Sequence, residues 1–182
     1  IIALSVSDID IAASRIKGAG GTLLGGPTDV GDRGELAVAR DPQGANFAVL
    51  ETRGGDPLDR EPRINDFMWN ELWTSDPDQA TTFYRQLADY ALGSKTMDNG
   101  KQYEYLQGNG KPRIAIINSP VERLAPTWVP YVRVADADLV VTKARELGGK
   151  IWYQGASAQA GGELAIIIDP SGAGLVVQTW QQ

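Results

Sequence analysis

Residues 34–45 read GELAVARDPQGA, and residues 162–173 read GELAIIIDPSGA. The offset between them is 162 minus 34, or 128 positions, and the match runs well beyond the quoted stretches. At that offset Asp8 and Asp10 fall on Asp136 and Asp138, Gly20-Gly21 falls on Gly148-Gly149, and Asp41-Pro42 falls on Asp169-Pro170. No insertion or deletion interrupts the alignment through the first module. Self-similarity of this extent at one fixed offset marks a duplicated unit of structure.

Each copy follows one plan. A short alternating segment, IIALSV or VPYVRV, predicts a half-buried strand. Asp8 or Asp136 is then placed to cap a helix, a second acid lies at the positive end of the helix dipole, and the Gly-Gly pair ends it. Strand segments follow: TLLGG or KIWYQ, then GELAVAR or GELAIII, then NFAVLE or GLVVQT. Asp-Pro-x-Gly joins the last two, because Pro suits the second position of a type I turn and Gly the fourth.

A third, more divergent copy begins at FMWNELWTSDPDQATTFYRQLADY. Asp76 and Asp78 repeat the cap, Phe83, Leu87 and Tyr90 mark an apolar helix face, and KQYEYLQG and PRIAIIN predict a hairpin around residues 108–110. The chain therefore reads as three βαβββ units, an α+β fold. RGGDPLDREPRIN, residues 53–65, reads as a charged linker, and SPVERLAPT as a shorter one before the last unit.

Composition narrows the chemistry. A net charge of -6 over 182 residues argues against a nucleic-acid partner, whose affinity depends on Lys and Arg neutralising phosphates. The apolar runs are of strand length, so no membrane partner is expected. The chain has no Cys, which removes disulfides and thiolate chemistry and leaves the compartment open, with a cytoplasmic site favoured over export. It also has no His. Ser-His-Asp, Cys-His and His-metal sites are thereby excluded within these residues.

The order and spacing of these segments resembles the vicinal oxygen chelate superfamily, which includes glyoxalase I, bleomycin-resistance proteins and extradiol dioxygenases. The carriers are SDPDQATTFYRQL after the strand starting at Trp69, YVRVADADLVVTKARELGGKI from Tyr131, and IDPSGAGLVVQ near the end. The first unit repeats the last two as SVSDIDIAASRIKGAGGTLL and RDPQGANFAVLE. The resemblance implies that βαβββ modules pair into cupped mixed sheets whose concave face holds a ligand or metal. It also implies a division into residues 1–52 as a single module, the second half of a first domain whose N-terminal module is missing, 53–65 as linker, and 66–182 as a complete two-module domain. A homodimer exchanging modules is the other expected source of the missing partner.

Metal-using members place His, Glu or Gln seven residues before the capping Asp, and Glu seven residues after the Asp of the turn. In this chain those positions hold Ile1, Trp69 and Val129, with Ala48 and Val176 after the turns. The expectation is accordingly no metal ligand and no cofactor.

Strand alternation turns Leu4, Val6, Leu72, Val132 and Val134 toward the helices. It leaves Trp69, Glu71 and Trp73 on one cup strand and Val129, Tyr131 and Arg133 on its counterpart, with Ile1, Ala3 and Ser5 equivalent in the truncated pair. Trp69, Glu71, Trp73, Tyr103, Tyr105, Tyr131 and Arg133 form the expected ligand-binding set, with Trp152 adding to the aromatic bias. Glu71 is the one candidate for a catalytic base, and a structural pairing with Arg133 is the favoured alternative. Glu51 and Glu104 read as solvated strand-end charges.

The function expected is metal-free binding of a small-molecule ligand in an aromatic cup, as in the glyoxalase and bleomycin-resistance type. The alternatives are a metal-dependent lyase or dioxygenase whose divalent metal needs the missing module, and an interaction scaffold with filled cups.

Overall fold

The computed structural model describes every residue except 56–57, 98–99, 101, 157–161 and 181–182. Asp56 and Pro57 of the expected linker, and Lys101, the first residue of the expected hairpin, thus lie outside the described residues. The first module comprises β1 (Ala3–Ser5), α1 (Ile9–Gly18), β2 (Thr22–Asp29), β3 (Gly34–Arg40) and β4 (Asn46–Thr52). The second comprises β5 (Phe67–Thr74), α2 (Pro77–Ala88), β6 (Ala91–Thr96), β7 (Gln102–Gly108) and β8 (Lys111–Asn118). The third comprises β9 (Thr127–Arg133), α3 (Ala137–Glu146), β10 (Lys150–Ala156), β11 (Glu163–Ile168) and β12 (Gly174–Gln178).

Local chemistry sets these boundaries. The carboxylates of Asp8, Asp76 and Asp136 accept the N–H of Ile11, Gln79 and Leu139 at 2.8, 3.0 and 2.9 Å, so all three helices begin on the predicted caps. Helices α1 and α3 exit through Gly20 and Gly148, at φ of +87° and +84°. The β7–β8 hairpin turns on Asn109 and Gly110, at φ of 54° and 72°, the Asn-Gly signature of a two-residue primed turn.

The strands form two mixed sheets, one ordered β1-β4-β3-β2 and the other β10-β11-β12-β9-β5-β8-β7-β6. In the first, β1 runs parallel to β4 with Ala3 opposite Ala48, while β3 pairs antiparallel with β2 and β4. In the second, β12 runs parallel to β9 with Tyr131 opposite Val176, and β11 is antiparallel to β12 and β10. This is an α+β fold of three βαβββ modules.

The chain divides into two compact units. The first gathers Ile1–Asp59, Leu72–Gly93 and Glu104–Trp128; the second gathers Arg60–Glu71, Ser94–Tyr103 and Val129–Gln182. In the first unit Leu4, Ile16, Phe47, Val49, Leu72, Phe83, Tyr84 and Trp128 share one core. Tyr84 is central to it: its ring meets Phe47, Phe83 and Trp128 edge-on, with centroids 5.3, 4.9 and 5.2 Å away. Helix α2 therefore packs on the first module as well as on its own β8, through Ile114 and Ile116. In the second unit Val134, Ala137, Val141, Ala165, Ile167 and Val177 form a smaller core, with Val132 and Ile151 against it. Leu4, Val6, Leu72, Val132 and Val134 all turn toward helices, as the alternation predicts.

The repeated turn shows how differently two copies of one sequence are used. Asp41 is buried; its carboxylate accepts the N–H of Gln43, Gly44 and Ala45 at 3.0, 2.8 and 2.8 Å and the Tyr84 hydroxyl at 3.0 Å. Asp169 makes the same turn through the N–H of Ser171 and Ala173, at 2.8 and 2.9 Å, but toward solvent.

Candidate functional site

The second unit holds the polar cluster that the sequence points to. On β9 and β12 the register sets Val132 opposite Val177, and both belong to the helix-side core. Their neighbours Tyr131, Arg133, Val176 and Gln178 consequently lie on the opposite, helix-free face. On β5, Leu72 points to a helix, which turns Trp69 and Glu71 to the other side.

Glu71 is 1% exposed. The Tyr103 hydroxyl donates to its Oε1 at 2.6 Å and the Tyr131 hydroxyl donates to its Oε2 at 2.5 Å. The Trp69 indole N–H donates in turn to the Tyr103 oxygen at 2.9 Å. Four members of the expected ligand-binding set, from three different strands, thus form one connected network. Burial, then the adjacent Glu71 charge, pushes the Tyr103 phenol well above the ordinary tyrosine range, so it stays a proton donor at any physiological pH. A carboxylate with a short phenolic bond on each oxygen is a fixed acceptor, and it is poorly disposed to take a proton from a substrate carbon.

Arg133 departs from expectation. Its guanidinium donates to the Pro62 carbonyl at 2.7 Å and to the Trp180 carbonyl at 3.4 Å, and its carbon sits 5.4 Å from the centre of a Trp180 ring. Two carbonyls with an aromatic face suit a delocalised cation. The backbone of Arg133 adds bonds to Asn65 and Asp66, so this residue secures the end of the linker.

The remaining expected residues fall elsewhere. Trp73 is 2% exposed and Tyr105 half-buried, both in the first unit, where Tyr105 lies over Gly93. Trp152 is 46% exposed. Glu104 is exposed, whereas Glu51 accepts the Ile9 N–H at 2.8 Å at the start of α1 and is a structural cap. Gln178 was passed over in the sequence, yet it is a buried polar residue beside Arg133 in the β9–β12 register. Alternation from Val176 would have found it.

No protein-family model matches the chain. CFP32 of Mycobacterium tuberculosis, provisionally named a glyoxylase, is 26% identical over 170 residues, covering 93% of this chain and 65% of CFP32. DauV of Streptomyces sp. strain C5, an anthracycline biosynthesis protein, is 31% identical over 182 residues, covering 95% of this chain and 62% of DauV. The chain thus spans less than two thirds of the length of these relatives. Among solved structures, the Mn(II)-bound glyoxalase of Novosphingobium aromaticivorans superposes with a TM-score of 0.63 at 16% identity, covering 100% of this chain and 63% of that one. A catechol 2,3-dioxygenase superposes at 0.57 with 15% identity, covering 99% and 67%. At these identities the structural likeness speaks for the fold.

A metal such as that Mn(II) does not fit the residues present. Ile1, Ala48, Trp69, Val129 and Val176 carry no donor for a divalent cation. Among the described residues no three His, Cys, Asp or Glu side chains converge. The nearest buried carboxylate, Glu71, is already held by two phenols.

Proposed function

We infer that the chain, similar to CFP32 and DauV and sharing the fold of a glyoxalase, is of the vicinal oxygen chelate type and binds a small organic molecule against the helix-free face of its second unit without using a metal of its own. The Trp69–Tyr103–Glu71–Tyr131 network carries this reading. It fixes one anionic anchor among aromatic rings, the mix of apolar surface and few oriented polar groups typical of small-molecule sites. The aromatic lining favours a flat, aromatic ligand, and the 31% identity to an anthracycline biosynthesis protein points to the same class.

Two measurements test this. Titration with an anthracycline should quench tryptophan fluorescence saturably, with Kd on the order of micromolar, and Tyr131→Phe should weaken it. Elemental analysis should find no stoichiometric Mn, Fe, Ni or Zn. A stoichiometric metal that chelators remove and that restores binding would overturn the metal-free reading. Absence of saturable quenching by flat aromatic ligands would overturn the ligand class.

A further inference from the structure

A cleft of about 460 Å³ lies wholly within the first unit and shares no lining residue with the network around Glu71. That volume is in the range of small-molecule sites, about 300–1,000 Å³. One wall is a single face of α1, where Asp8, Ile11, Ala12 and Arg15 follow one another at three- and four-residue spacing. The others come from the ends of β1 and β4 and from the C-terminal end of α2. Ala12 and Leu87 are buried and Val6 half-buried, which gives the cleft an apolar floor.

The charges on its rim do not balance. Asp8, Glu51 and Asp89 line it against one guanidinium, that of Arg15. Arg15 is engaged already: its Nη1 donates to the Leu87 carbonyl at 3.4 Å and pairs with Asp89 at 3.1 Å. Asp8 and Glu51 stand at the other end of the α1 face, and Asp8 precedes Arg15 by seven positions, about 10 Å of helix. Each uses one oxygen to hold the helix: Asp8 Oδ1 accepts the Ile11 N–H and Glu51 Oε2 the Ile9 N–H, both at 2.8 Å. Among the described residues neither carboxylate has an ion-pair partner. The positive end of α1 amounts to about half a unit charge, so two carboxylates leave this end of the cleft anionic.

We propose that this cleft is a second binding site, for a small organic ammonium, with the charged head beside Asp8 and Glu51 and the apolar body along Val6, Ala12 and Leu87. An ammonium is a compact charge with three N–H donors, and each carboxylate keeps an oxygen that holds no helix N–H. An apolar tail covers the floor, which an inorganic cation would leave wet. An anion would meet the two carboxylates first, and its one attractive partner, Arg15, is already held by Asp89 and the Leu87 carbonyl.

The probe is pentylammonium chloride, followed by amide NMR shifts at pH 7 with sodium chloride holding the ionic strength constant. It should saturate with Kd on the order of millimolar and shift amides among residues 5–15, 51–55 and 87–89. Ammonium chloride, 1-pentanol and sodium pentanoate should not. Asp8→Asn combined with Glu51→Gln should weaken binding by about fivefold or more; each replacement keeps an acceptor for its helix N–H, so Tm should hold. Arg15→Gln removes the like charge and should bind pentylammonium at least as well as the parent. Failure to saturate in the millimolar range, equal shifts from 1-pentanol or ammonium chloride, or unchanged affinity in the double variant overturns the proposal. Pentanoate binding that Arg15→Gln abolishes assigns the cleft to anions and overturns it too.

Discussion

Replacing Tyr131 by Phe isolates the bond that the buried carboxylate depends on. The ring volume stays, so little packing is lost; the change deletes one hydroxyl, which donates to Glu71 Oε2 at 2.5 Å. Hydrogen bonds to charged groups contribute about 1.5–3 kcal/mol each, and Glu71 at 1% exposure has no water to replace the lost donor. A loss near 2 kcal/mol follows, equivalent to about 4–8 °C in Tm for a protein of this size. Tyr103→Phe should cost more, because it also strips the Trp69 indole N–H of its acceptor. The two hydroxyls serve opposite oxygens of one carboxylate, so the double variant should lose more than the sum by at least about 0.5 kcal/mol. Adding Glu71→Leu to the double variant should then recover stability, since charge and donors leave together. Urea denaturation of the four variants measures the whole cycle. A Tyr131→Phe variant within about 0.5 kcal/mol of the parent, or no recovery on adding Glu71→Leu, would refute the buried-network reasoning.

The duplicated turn gives a matched pair of variants: Asp41→Ala should cost about 3 kcal/mol, because it strips the buried Ala45 N–H and the Tyr84 hydroxyl of their acceptor along with the half-buried Gln43 N–H, while Gly44 keeps the residue 41 carbonyl; Asp169→Ala should cost roughly 1 kcal/mol with water at hand. The shift in urea midpoint reads both. Absorbance titration at alkaline pH should show Tyr84 and Tyr103 failing to ionise in the folded protein; their native pKa lies above the unfolded value near 10, so stability falls as pH rises past about 10 and both ionise on unfolding. Arg113 and Lys111 hold Asp59 down to about 2, so its attachment to β8 should be intact above the ordinary carboxylate range and disappear as pH falls from about 4 toward 2, a transition seen by NMR and absent in Asp59→Asn. Arg133→Met should speed amide exchange at Asn65 and Asp66 by loosening the linker, while leaving the Glu71 network unchanged.

What was legible in the sequence was what depends on nearest neighbours along the chain. Asp8, Asp76 and Asp136 cap helices because the accepting carboxylate and the donating N–H are three residues apart, and the Asn-Gly hairpin follows from φ preferences of two adjacent residues. The faces of β5 and β9 were legible for the same reason, since a strand alternates whatever it packs against. The partner of Glu71 was not legible. Charge sign suggested Arg133; the phenols of Tyr131 and Tyr103 donate to Glu71, and the Arg133 guanidinium donates to the carbonyls of Pro62 and Trp180, partners that only the folded chain brings together. Nor could one sequence say that Tyr84, which reads as a core residue of its own module, extends to Asp41 in another.

The identical Gly-Ala in the two turns sharpens this contrast. Gly44 and Gly172 are required by the backbone, which takes φ of +109° and +95° there, and any copy of this turn would need them. Ala45 and Ala173 directly precede β4 and β12, and neither has the positive φ that would restrict the residue type. Around Ala45 the reason is visible: it is fully buried in the core that the first unit shares with α2. Around Ala173 the same residue faces solvent, where a charged or β-branched side chain would cost nothing. The same residue thus answers to a buried setting in one copy of the turn and to an exposed one in the other.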